Sequence, residues 1–237
     1  MMILQRIKRK IYKAFHPVVG EIWMLHRVVE QRSEKTEQRE LEVTPDYLEQ
    51  KILEYKQKGY TFVSINDVSL FQVSGFKFHR LVCVTFDDGY RDNYTLAYPL
   101  LKRFGVPFTI YVTTGIIDNR LPMWWYPGEC LGMSTEELKA IDADPLCTIG
   151  AHTVSHPKLD TLSYEEQSKE IADSKQELEQ LLGHSVNHFS FPHGAHNADT
   201  LKISHELGFS TIAAAWGGPI RKGAHYDSLP RIGIKQS

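Results

Sequence analysis

A chain of 237 residues, 42% hydrophobic and 24% charged, is long enough to bury one sizeable core and too apolar to stay unfolded or form a collagen-like repeat. Its 27 Lys and Arg against 29 Asp and Glu leave a net charge of -2, which excludes a bulk electrostatic attraction to nucleic acid. Three cysteines, Cys83, Cys130 and Cys147, with no C-x-x-C pair, exclude a disulfide framework and a thiolate zinc site.

The chain starts with Arg6, Lys8, Arg9, Lys10 and Lys13 opposite Ile3, Leu4, Ile7, Ile11 and Phe15 at helical spacing. No continuous apolar stretch suits a signal peptide or a membrane-spanning helix, so the expected location is the cytoplasm. Residues 1–20 therefore read as a basic amphipathic segment with two possible fates. It packs on the following domain by its apolar stripe, or residues 3–15 rest on anionic lipid at the inner face of the membrane.

Downstream, strand-like and helical runs alternate. EIWML (21–25) leads into His26. Thr44-Pro45 caps a helix that carries Leu48, Ile52 and Leu53 and is closed by Gly59. TFVSI (61–65), LVCVTF (81–86) and PFTIYV (107–112) are rich in β-branched and aromatic residues. A long loop or insertion from Ile116 to Cys130 holds Trp124, Trp125 and Tyr126. Ser134 with Glu137 and Ser163 with Glu166 are capping boxes, the second opening a long amphipathic helix through Ile171, Leu178 and Leu181 to Gly183. CTIG lies between them, and HFSF, STIAA and LPRIGI follow. Continuous apolar strands separated by helices predict an α/β domain with a parallel sheet covered on both faces, in one piece.

Chemistry concentrates where these strands end. Thr85-Phe86-Asp87-Asp88-Gly89 puts two carboxylates on adjacent residues, whose side chains diverge; one can meet a metal while its neighbour faces water. An ordinary strand-ending turn is the plainer alternative. His152-Thr153-Val154-Ser155-His156 follows another strand, and on a helical turn its two imidazoles share a face, the spacing of a shared metal ion. Two imidazoles and one carboxylate leave open positions, the pattern of a catalytic centre, with zinc the first choice of divalent cation. His184, His188, His196, His205 and His225 lack this spacing and read as surface or local polar residues.

TFDDG followed by H-T-x-x-H resembles the polysaccharide deacetylase family, also called the NodB-homology or carbohydrate esterase four family, over roughly residues 21–234. The stretch DDGYRDNYTLAYPLLKRFGVPFTIYVTT is similar to it throughout. The resemblance implies a distorted TIM-like (β/α) barrel of NodB-homology type over residues 21–237 and metal-dependent removal of acetyl from N-acetylated sugars. It implies Asp87 as general base and Asp88, His152 and His156 as metal ligands. The family's Arg-x-Pro-x-Gly lines up with Ser190-Phe191-Pro192-His193-Gly194, so the arginine that orients the base is absent; Arg231 is the expected substitute. Pro192, His193 and Gly194 are assigned to substrate binding, with the backbone N–H of His193 on the oxyanion, and Trp125 is a candidate sugar-stacking face. The family's Leu-x-His is missing near the C-terminus, where Leu229-Pro230-Arg231 stands; Met24-Leu25-His26 supplies it at the other end, as in permuted relatives, making His26 the general acid. Trp216 lacks the acidic residues expected before it and reads as packing.

The expected substrate is an N-acetylated glycan, a lipid-linked precursor being one version. A hydrolase of small cyclic amides and a weakly catalytic carbohydrate-binding relative are the alternatives.

Overall fold

The computed structural model describes residues 17–72, 80–126, 131–222 and 228–236. The basic start through residue 16, Cys130 and His225 lie outside them. In chain order the elements are β1 (Val18–Leu25), β2 (Arg27–Val28), α1 (Thr36–Arg39), β3 (Glu42–Val43), α2 (Pro45–Gln57), β4 (Thr61–Phe62) and β5 (Leu81–Phe86). They continue with α3 (Tyr98–Phe104), β6 (Phe108–Val112), α4 (Thr135–Asp142), β7 (Cys147–Ala151) and α5 (Tyr164–Leu182). The last are β8 (His188–Ser190), α6 (Ala198–Glu206), β9 (Thr211–Ala213), β10 (Ile220–Arg221) and β11 (Ile232–Gly233).

The helix ends obey the local chemistry of their sequences. Thr44 accepts from the Tyr47 N–H ahead of Pro45, and both serine capping boxes form. Gly183 ends α5 at φ 77, a conformation open to glycine without a Cβ clash. Strand lengths differ from expectation. β1 starts at Val18, inside the stretch read as a basic amphipathic segment, and TFVSI pairs only at Thr61 and Phe62 before a 3-10 turn from Ile65.

β1, β5, β6, β7, β8 and β9 run parallel in that spatial order, a curled sheet with helices outside it. The last segment lies across the seam, where Leu229 bridges to Ala213 of β9 and Ile232-Gly233 pairs with Trp23-Met24 of β1. Side chains alternate along each strand. Val82, Val84 and Phe86 of β5 join Leu48, Ile52, Leu100 and Leu101 in the core under the helices. Leu81 and Cys83 join Ile22, Ile65, Val68, Ile220 and Leu229 in a smaller core inside the curl. The same period carries Thr85 and Asp87 inward, above that apolar floor. Trp23 packs outward, edge-on to Tyr55 and Phe62 with centroids 4.7 and 5.6 Å away. Such pairs contribute about 0.5–1.5 kcal/mol each beyond the area they bury.

Candidate active site

His26 follows β1, Asp87 and Asp88 follow β5, His152 follows β7, and Phe191-Pro192-His193 follows β8. All leave the sheet at the carboxyl ends of its strands, the face where barrels of this kind build their sites. Register does the gathering: Leu25 pairs with Phe86 and Val112 with Ala151. The Asp87 N–H then donates to the Leu25 carbonyl and the His152 N–H to Val112, at 2.9 and 3.0 Å.

Arg231 enters this rim from the seam segment, 1% exposed. Its Nη1 and Nη2 donate to the two Asp87 oxygens at 2.7 Å each, Nη1 also to Thr85 Oγ1 at 3.1 Å and Nη2 also to Ser190 Oγ at 2.8 Å. Nε donates to the Ala214 carbonyl at 2.7 Å, so every guanidinium N–H is engaged. Burial pushes the Asp87 carboxyl up, but the Arg231 charge and then His152 more than offset it, holding the group below the usual carboxylate range. Ser190, the residue that lines up with the arginine of the resembled pattern, thus accepts a hydrogen bond from Arg231, the residue expected to substitute for it.

Asp88 turns the other way at φ 77. Its Oδ1 stands 3.4 Å from His152 Nε2 and 3.1 Å from His156 Nε2, and the three donor atoms lie within 4.8 Å of one another. The edges of a tetrahedral zinc site with bonds of ~2.0–2.1 Å measure about 3.3–3.4 Å, so the spacing fits. Two polar atoms support the fit. Asp88 Oδ1 is buried without a hydrogen-bond partner, and His152 Nδ1 donates to the Ser190 carbonyl at 2.8 Å, which leaves its Nε2 lone pair facing Asp88. Burial would raise the Asp88 carboxyl, yet His156 and His152 hold it well below its ordinary value.

The two histidines do not share a helical turn. Residues 152–156 form a loop in which Thr153 and His156 take φ 66 and 60, because it leaves a strand and must fold back over its end. Glu170 of α5 clamps this loop, accepting from the Val154 and Ser155 N–H groups at 2.9 Å each and from Ser155 Oγ at 2.6 Å.

A cavity of about 320 Å³ opens over these groups, bordered by His26, Asp87, Asp88, Trp125, His156, Phe191 and His193 and, at its mouth, by Trp216, Glu40 and Lys235. Burial pushes the His26 imidazole down, while Asp88 and Asp87 pull it back. His193 stands at φ 57, its ring 4.5 Å from that of His156, and burial pushes its imidazole down to about 4. Pro192 is buried in the 3-10 turn beside it, and Gly194, at φ 68, lies so near Ala215 that a Cβ would meet the Ala215 Cβ at 2.7 Å. Trp216 is 59% exposed at the mouth instead of packed inside. Trp125 reaches the site too, by its indole N–H, which donates to Asp88 Oδ2 at 3.0 Å. Sequence reading missed Thr85, Ser190 and Glu170, since a strand threonine, a strand serine and a helix glutamate carry no local mark of what they hold. His188 reads as a local polar residue and is buried, not at the surface.

The sequence matches the family profile described as Polysaccharide deacetylase over residues 77–212. It is 29% identical over 223 residues, 94% of this chain and 74% of the other, to YxkH of Bacillus subtilis (strain 168), whose own assignment as a polysaccharide deacetylase is provisional. The structure resembles the Streptococcus pyogenes deacetylase PplD in complex with acetate, with TM-score 0.78, 30% identity and coverage of 92% of this chain and 93% of that one. It also shares the fold of IcaB from Ammonifex degensii, at TM-score 0.77 and 23% identity over 92% of each chain.

Proposed function

The chain belongs to the polysaccharide deacetylase family of hydrolases acting on carbon–nitrogen bonds, and from that membership we propose that it removes acetyl from N-acetylated sugars of a polysaccharide or glycan precursor. Asp88, His152 and His156 would hold a divalent cation, zinc first among the candidates. The observation that carries the reading is the buried, unpartnered Asp88 Oδ1 between two imidazole nitrogens, one residue from an aspartate locked to a buried arginine.

The cation, when bound, supplies positive charge that makes water more acidic and stabilises negative charge on an acyl oxygen. Asp87 takes the proton of the attacking water. Arg231 keeps it ionised and fixed, and each Asp87 oxygen retains a lone pair beyond its guanidinium bond. The oxyanion is met by the backbone N–H of His193 on the cavity wall, where Pro192 and Gly194 set the turn. His26 protonates the leaving amine. Burial favours its neutral imidazole at rest, so the proton it delivers to nitrogen is the one Asp87 took from water, handed on across the shared cavity, and the Asp87 and Asp88 charges favour the imidazolium that forms.

Metal analysis paired with an acetate-release screen over N-acetylated saccharides tests this. Stoichiometric zinc with acetate release supports it; ring opening of a cyclic amide, or sugar binding without acetate in saturating zinc, overturns it. The basic amphipathic start agrees with a lipid-linked precursor at the inner membrane face. Deleting residues 2–15 should then abolish membrane fractionation, and unchanged fractionation would remove that part.

A further inference from the structure

Resting on the cation reading above, we infer that Trp125 is a positioning residue for Asp88, held in place by a partly buried charge network, and not a stacking platform for sugar. The indole Nε1 lies 3.0 Å from Asp88 Oδ2 and 3.0 Å from Tyr90 Oη, one N–H shared between two acceptors. The two Asp88 oxygens thereby have different tasks. Oδ1 faces His152 and His156, and Oδ2 is committed to the indole. Indole nitrogen is a donor only, so it neither competes for a cation nor exchanges a proton. One face of the ring is already taken, stacked on His156 with centroids 4.1 Å apart and planes 29° from parallel. A sugar would have to displace a neighbour to use it.

The neighbouring residue shows why the indole stays put. Tyr126 is buried and its hydroxyl donates to Glu42 Oε1, while Glu42 Oε2 accepts from the Ser33 N–H at 2.6 Å. The Arg27 guanidinium lies over the Tyr126 ring at 4.6 Å and pairs with Asp92 at 2.8 Å. This network ties the 123–126 turn to β2 and β3, elements outside the site. It anchors at the residue adjacent to the one that touches Asp88. Hydrogen-bond partners behind a metal ligand typically change metal affinity about 10- to 100-fold.

The experiment measures zinc affinity by competition with a chromophoric chelator, for wild type and for Trp125→Phe, which keeps a ring on His156 and removes the donor. We expect Trp125→Phe to bind zinc about 10- to 100-fold more weakly, with the apo-protein Tm little changed and KM for the saccharide unchanged once zinc saturates. Unchanged zinc affinity with a raised KM would overturn the inference in favour of a sugar platform. If Trp125→Phe does not fold, Tyr126→Phe decides, with a smaller loss of zinc affinity expected and no loss overturning the inference. A wild-type chain that binds no zinc sinks this inference and the cation reading together; one that binds zinc but releases no acetate sinks the substrate reading alone.

Discussion

Arg231 and Asp87, 144 residues apart, meet through two parallel bonds of 2.7 Å with the guanidinium fully buried. Because Ser190 Oγ is 2.8 Å from Arg231 Nη2, position 190 and position 231 aim at one spot. Arg231→Ser should lose activity and about 3–5 kcal/mol of stability, since it strands a buried carboxylate. Adding Ser190→Arg to that variant should restore part of both. Urea unfolding and acetate release would check it, and a double variant no better than the single one would count against the spatial exchange.

Asp87 and Asp88 are neighbours with separable duties. Asp87→Asn should retain zinc and lose turnover by about 10²- to 10⁴-fold, whereas His152→Ala should lose zinc itself. The check is metal content and single-turnover acetate release on both; full activity in Asp87→Asn would remove it as the base.

Glu170 never touches the cavity but accepts three bonds from the loop that joins His152 to His156. Glu170→Ala frees two N–H groups and a hydroxyl, a cost of about 1–3 kcal/mol. It should also weaken zinc binding by loosening His156. A Tm shift with no change in chelator competition would mean the loop holds its shape unaided.

His188 is buried in β8, bonded to Thr211 Oγ1 at 2.8 Å and Asn66 Oδ1 at 2.7 Å, and burial pushes its imidazole down to about 4. The unfolded chain takes up a proton near pH 6.5 that the folded one refuses. Its stability contribution is therefore complete above pH ~6.5 and lost as pH falls toward 4, up to about 3 kcal/mol. His188→Gln should flatten that slope in urea titrations across the window. Equal slopes in the two proteins would assign the acid sensitivity elsewhere.

The chain alone determined what local chemistry determines. Alternating apolar strands and capped helices announced a parallel α/β sheet, because capping boxes and glycine ends act within a few residues of themselves. Asp87, Asp88, His152 and His156 were legible because each pair sits close in sequence at a strand end. The conformation joining the histidines was not, since their spacing alone admits a helical turn, whereas the loop that forms takes left-handed angles at Thr153 and His156 and is hydrogen-bonded to Glu170 of the following helix. Arg231 was expected beside Asp87 only through the family resemblance, with no local mark of its own, and sequence could not give Ser190 its hold on that arginine or turn the Trp125 indole N–H toward Asp88. Those relations are set by which strands lie side by side and which face each residue takes, and only folding the sheet around its seam brings positions 85, 87, 190 and 231 to one point.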